Sequence, residues 1–329
     1  MQKSKLILVD GMPGTGKSTL SQFILLEMRA RGQTTRWWHE ESPDHPLRLF
    51  FDPQRYQTQR EYFDDVIIRW HSHLQRLEHT GGVEVFDVSI LQNHVRSLLI
   101  FDCHRNQILD LIRKIEEVIH NFDAVFVYSK PFDIAENFRT IVAKRGKELL
   151  NLWVAAHDNY PFTKNRQLSG YTGFIAFWEE FDEISDRIFE QLSISKLRQV
   201  VTEENWNTRK SELLNYLDIP LSQASALATS LSRFEGRYLA VEDPRLATQV
   251  RLNDHCLVAT VEEPTFDNRK GPIGRFREVR LIPIDETRFH VESWPHLVEF
   301  SVDADGIVNR MHVYATEDGW DESDWIVDC

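Results

Sequence analysis

Two regimes of hydrophobic patterning divide the chain. In the first two thirds, short apolar runs alternate with stretches whose apolar residues recur every three or four positions. Leu6-Ile7-Leu8-Val9, bounded by charge before it and glycine after it, predicts a buried strand, and Lys17 to about Arg31 predicts a helix. Thr34 to His39 reads as a second strand, and the prolines of Ser42-Pro43-Asp44-His45-Pro46 break regular structure. Phe63, Val66, Ile67, Trp70, Leu74 and Leu77 have the spacing of a helix that buries one face, over Gln59 to His79, and Gly81-Gly82 ends it. Val83 to Phe86, Ala124 to Tyr128 and Leu197 to Val201 are further strands, with a helix at Gln107 to His120. Strands that alternate with helices require crossovers, so this part predicts a parallel sheet with helices on both faces.

The second regime begins after Ile219 to Ser232, a segment without charge and rich in Ser and Ala. Beyond it, Tyr238–Val241, Gln249–Leu252, Cys256–Val261, Glu278–Ile282, Arg288–Val291, Val298–Val302 and Ile307–Tyr314 are short runs separated by turn formers, the pattern of a small antiparallel barrel or sandwich. The expected organisation is therefore an α/β domain over 1–218, a linker over 219–232 and an acidic all-β domain over 233–329.

Charge narrows the partners. The 38 basic against 51 acidic residues leave a formal charge of −13, which argues against general nucleic-acid binding, since a basic face is needed to neutralise phosphates. Much of the acidity lies from Leu231 onward, where eleven basic residues face twenty acidic ones. Cys103, Cys256 and Cys329 are odd in number and far apart, which predicts neither a disulfide framework nor a zinc site. With no signal-peptide core and no apolar stretch of membrane length, a cytoplasmic protein without membrane association is expected.

Gly11-Met12-Pro13-Gly14-Thr15-Gly16-Lys17-Ser18 satisfies G-x-x-x-x-G-K-[ST], between a predicted strand and a predicted helix where the motif must sit. The glycines let backbone N–H groups turn inward around a phosphate, and the helix N-terminus adds partial positive charge. Gly11, Gly14, Thr15, Gly16, Lys17, Ser18 and Thr19 are thus the expected ATP-binding residues. Lys17 would reach the β- and γ-phosphates, and Ser18 would offer its hydroxyl to Mg²⁺.

On this motif and layout, residues 1 to 218 resemble the P-loop kinases of small molecules, especially the thymidylate and deoxynucleoside kinase group. The resemblance implies a five-stranded parallel sheet, an acid after the second strand, an acid with a nearby arginine after the third, and a basic lid. Here those places read Glu40-Glu41-Ser42-Pro43, Phe86-Asp87-Val88-Ser89 without the arginine, and Pro131 to Lys147 with Arg139, Lys144, Arg145 and Lys147. Asp87 falls at the carboxyl edge of the sheet, where open α/β folds bind ligands, and is expected to hold Mg²⁺ or accept a proton. Glu41 is the expected acceptor base, with Glu40 in its place if the extended chain alternates the other way. Arg139 and Arg145 would neutralise the transferring phosphoryl group.

The function expected is an ATP- and Mg²⁺-dependent kinase acting on a small metabolite. Two other readings are a nucleotide-hydrolysing switch whose C-terminal β domain binds a partner, and a nucleotide-binding scaffold. The absence of an N-K-x-D sequence argues against a GTP-dependent version of the switch.

Overall fold

The computed structural model describes residues 5–202, 205–220, 231–253, 256–261, 278–315 and 323–327. The chain divides into two compact units, Met1–Ser222 and Gln223–Cys329.

In the first unit, β1 (Lys5–Gly11), β2 (Thr35–Trp38), β3 (Val83–Asp87), β4 (Asp123–Pro131) and β5 (Ser195–Val201) form one parallel sheet in the order β2-β3-β1-β4-β5. Side chains alternate between its faces, as a strand's period of two requires. Ile7, Val9, Trp37, Val85 and Val127 pack with Leu20 and Ile24 of α1 (Lys17–Arg29) and Leu213 of α9 (Trp206–Tyr216). Leu6, Leu8, Trp38, Phe86 and Phe126 pack instead with α2 (Gln59–Thr80), α4 (Arg105–Ile119) and α8 (Gly170–Gln191). Between α2 and α4, a π-helical turn (Leu91–Val95) runs directly into α3 (Arg96–Ile100). Helices α5 (Ile134–Arg145), α6 (Lys147–His157) and α7 (Pro161–Asn165) fill the chain between β4 and α8.

Local chemistry sets the helix ends. Thr58 accepts a hydrogen bond from the Glu61 N–H at 3.2 Å to cap α2, and Asp133 accepts one from Glu136 at 2.7 Å to cap α5. The aromatic run Phe174, Phe177, Trp178 and Phe181 lies at helical spacing on α8 and is fully buried, which makes it core and not the lining of a pocket.

In the second unit, β6 (Gly236–Ala240), β7 (Ala247–Asn253), β8 (Cys256–Val261), β9 (Glu278–Pro283), β10 (Arg288–Val291), β11 (His296–Val302), β12 (Val308–Ala315) and β13 (Ser323–Val327) close into an antiparallel barrel. Phe234, from a 3-10 turn (Leu231–Phe234), packs inside against Phe289 and Phe300, with ring centroids 5.4 and 4.6 Å away. Tyr238, Val250, Leu257, Leu281, Val298 and Met311 join them, so apolar side chains fill the interior. The fold class is therefore α/β, a five-stranded parallel sheet flanked by helices, plus a small antiparallel β barrel.

Several details differ from the sequence expectation. Helix α5 falls within the mainly helical pattern of Pro131 to Lys147, whereas α6, α7, α9 and the strand β13 carry no clear apolar periodicity, and packing partners decide them. Of the expected linker 219–232, Ile219 packs in the α1-side core and Leu231 against the barrel core, while 221–230 lie outside the described residues. Among the described residues no helix is long and apolar enough to cross a membrane. Cys103 and Cys256 are free thiols, and Cys329 lies outside the described residues.

Candidate functional site

Register brings the site together. β1 pairs with β3 so that Val9 lies opposite Asp87, and with β4 so that Gly11 lies opposite Ser129, which puts three strand ends beside the loop that leaves β1. Gly11 has φ +147°, and a Cβ there would fall 2.1 Å from the Ser129 carbonyl oxygen, so only glycine lets β1 and β4 approach this closely. Gly16, at φ +76°, turns the chain into α1. Lys17 opens that helix, buried, and its Nζ donates to the Met12 carbonyl at 3.1 Å, while Thr15 Oγ1 donates to the same oxygen at 2.9 Å. Ser18 and Thr19 follow in the first turn, half-buried.

Side chains outside the motif hold this loop. The buried Asp10 carboxylate accepts the backbone N–H groups of Gly11, Ser89, Ile90, Leu91 and Gln92 at 2.7–3.4 Å, tying the loop's root to the π-helical turn after β3. Burial raises the Asp10 carboxyl from its ordinary value, while the N–H groups and Lys17 act the other way. All five partners are donors, an arrangement that suits the deprotonated form. The chain reaches this geometry through Val88, whose φ of +70° is an outlier for a β-branched residue and turns the following N–H groups toward Asp10.

From α9, the buried Arg209 donates to the Thr15 carbonyl at 3.2 Å and to Ser129 Oγ at 3.1 Å, and burial pushes its guanidinium down to about 10. From α5, Asn137 Nδ2 donates to the Pro13 carbonyl at 2.8 Å, and Ile141 sits where a Cβ on Gly14 would fall, 2.5 Å away. Replacing Arg209 with Met should remove two hydrogen bonds to the loop and cost about 1–3 kcal/mol of stability, read as a lower thermal midpoint of the ligand-free chain.

Carboxylates gather at the strand ends on the α1 side. Asp87 ends β3 and is fully buried, and among the described residues neither of its oxygens accepts a hydrogen bond. Burial above all, with Glu40 beside it, pushes its carboxyl up to about 8 against the pull of Lys17 and the Ser18 hydroxyl. Glu40 moves the opposite way: burial would raise it, but Lys17, His39, Arg145 and Arg96 together hold it below its ordinary value. The pair therefore splits, with Glu40 ionised and Asp87 carrying the proton near neutral pH.

The buried His39 places Nε2 3.8 Å from Asp87 Oδ2. Its Nδ1 accepts the Glu41 N–H at 3.2 Å, which in the neutral ring puts the proton on Nε2, facing Asp87.

Of the residues expected from sequence, Lys17, Ser18, Glu40, Asp87 and Arg145 thus converge. Glu41 is half-buried one residue beyond the cluster, and Arg139 is exposed on α5, paired with Glu136 at 2.6 Å. Asp10, His39, Arg96, Asn137 and Arg209 complete the site. Arg96 supplies the positive charge near the carboxylates that the sequence lacks directly after Asp87; its nine-residue offset hides it from a linear motif. The alternating pattern of β2 and β3 could have paired His39 with Asp87, since both continue the face of Trp37 and Val85.

No protein-family model matches the chain, and no curated protein matches it. Among solved structures it is similar to a deoxyadenosine kinase from M. mycoides with bound dATP, at 18% identity over 66% of this chain and 100% of that one, with a TM-score of 0.37. It is also similar to EHV4-TK complexed with Thy and ADP, at 13% identity over 66% of this chain and 91% of that one, with a TM-score of 0.28.

Proposed function

We propose that the first unit is an ATP- and Mg²⁺-dependent phosphotransferase acting on a hydroxyl group of a small metabolite. The observation that carries this reading is the split carboxylate pair beside the lysine of a complete phosphate loop. Glu40, ionised and surrounded by Lys17, His39, Arg145 and Arg96, is suited to orient an acceptor hydroxyl and take its proton. It replaces Glu41 in that role because it is the acid whose charge the site organises. The loop amides and Lys17 would hold the nucleotide phosphates once Lys17 leaves the Met12 carbonyl, and Arg145 would meet charge on the transferring group.

The buried, unpartnered oxygens of Asp87 beside the Ser18 hydroxyl form an all-oxygen donor set that fits Mg²⁺, an ion that keeps several waters and takes few protein ligands. When bound, Mg²⁺ supplies charge neutralisation at the phosphates. Asp87 then gives up its proton, and Glu40 stays ionised to serve the acceptor.

The test is ADP release with ATP and Mg²⁺ across a panel of hydroxylated metabolites that includes deoxynucleosides. Lys17→Ala should remain folded, bind ATP at least tenfold more weakly and lose acceptor-dependent ADP release. Equal ATP-induced thermal shifts in wild type and Lys17→Ala would overturn the assignment, since a ligand held by Lys17 must stabilise the variant less. ADP release that no acceptor accelerates would point to a hydrolysing switch.

A further inference from the structure

A cavity of about 520 Å³ opens between the edge strand β2 and helix α2, and none of its lining residues belongs to the phosphate loop. Arg36 and Trp38 face it from β2, His45 from the loop that follows, and Arg69, Ser72 and Arg76 from α2, where steps of three, four and seven residues put these side chains on one face. It lies on the α2 side of the sheet, whereas Asp87 and His39 continue the α1 side.

Its walls carry positive charge in an acidic protein. The lining holds three guanidinium groups against one carboxylate, Asp44, which pairs with Arg36 at 3.1 Å. Arg36 also lies over the Trp38 ring, 3.6 Å from its centroid, and is held flat there. Arg69 lies 3.7 Å from Asp65 through Nε without a hydrogen bond, so that N–H is a buried donor with no acceptor.

His45 supplies a second such donor. It is 5% exposed, its Nδ1 accepts the Leu47 N–H at 3.3 Å, and so the neutral ring carries its proton on Nε2, which is buried and unpartnered. Burial and the charge of Arg48 push this imidazole down to about 3, so it is neutral at physiological pH. Both of these donors lie beneath the cavity surface, so the groups open to a ligand are the guanidinium groups of Arg36, Arg69 and Arg76, which call for a ligand made of acceptor oxygens.

We propose that this groove is a second ligand site, which binds a small phosphate monoester. The net charge of the lining matches the −1.5 to −2 that such an ester carries at about pH 7, arginine forks suit its oxygens, and the volume is that of a small-molecule pocket. The proposal stands independently of the phosphotransferase reading.

The experiment is calorimetric titration of phenyl phosphate into the full-length wild type, Lys17→Ala, Arg76→Gln and the double variant Arg69→Gln/Arg76→Gln, with malonate as a dicarboxylate of like charge. Wild type and Lys17→Ala should bind phenyl phosphate equally. Arg76→Gln should bind it more weakly and the double variant at least tenfold more weakly, with ATP affinity unchanged in both. Arg76 is exposed, so the single variant reports even if the double one misfolds. No binding to wild type, loss of binding in Lys17→Ala, unchanged affinity in the arginine variants, or malonate binding as tightly as the ester would each overturn the proposal.

Discussion

Asp87→Asn should make the ligand-free protein more stable at pH 8 and at the same time cost it at least 100-fold in Mg²⁺-dependent turnover. The sign follows from proton linkage. A carboxyl raised from 3.8 to about 8 in the folded chain binds more protons there than in the unfolded chain across that window. Its contribution is intact at low pH, and wild-type stability is lost as pH rises from about 4 toward 8. The neutral amide removes the cost of a buried, unpartnered charge, about 2–4 kcal/mol at pH 8, or roughly 5–10 °C in the thermal midpoint. Melting curves from pH 5 to 9 check this. Asp87→Asn should have the flatter pH profile, and a variant that melts lower than wild type at pH 8 would show that Asp87 is held by structural partners instead. Mg²⁺ with ATP should raise the wild-type midpoint more at pH 8 than at pH 6, because at pH 6 binding must first displace the Asp87 proton.

Asp10→Asn is expected to have the largest effect on folding of any single polar change in the first unit. Five backbone N–H groups converge on this carboxylate, and an amide offers one acceptor oxygen while turning a competing NH₂ toward donors. Several buried N–H groups would lose their acceptor at about 1–3 kcal/mol each, giving a loss of about 3 kcal/mol or more. Chemical denaturation of the ligand-free chain measures it. A change below about 1 kcal/mol would mean that the turn after β3 finds other acceptors.

These two aspartates show where sequence reasoning succeeded and where it stopped. The strand before Gly11–Ser18, the glycine-rich turn and the helix that follows it were legible because every step is local. Asp87 was legible too, as the polar residue that ends an apolar strand. Asp10 was not, since its role rests on backbone groups some eighty residues away that only the β1–β3 pairing brings near. The choice between Glu40 and Glu41 depended on side-chain direction where the chain leaves β2, which alternation alone leaves open. Arg96 and Arg209 reach the site from α3 and α9, short helices that no local motif ties to the loop after β1. The barrel strands were legible from turn spacing, except β13, where acidic neighbours mask a five-residue strand.

The order of strands around the barrel has a consequence for how that unit is assembled. β13 lies between β12 and β6, so the last described strand in sequence is the neighbour of the first. Until it docks, β6 and β12 present two open edges whose free N–H and C=O groups can pair with any passing chain. Ring closure is also the contact of longest sequence separation in the unit, the kind that forms late. The short stretch Ser323–Val327 therefore acts as a latch: chains shortened by these residues expose both edges, and for them the competing fate is self-association.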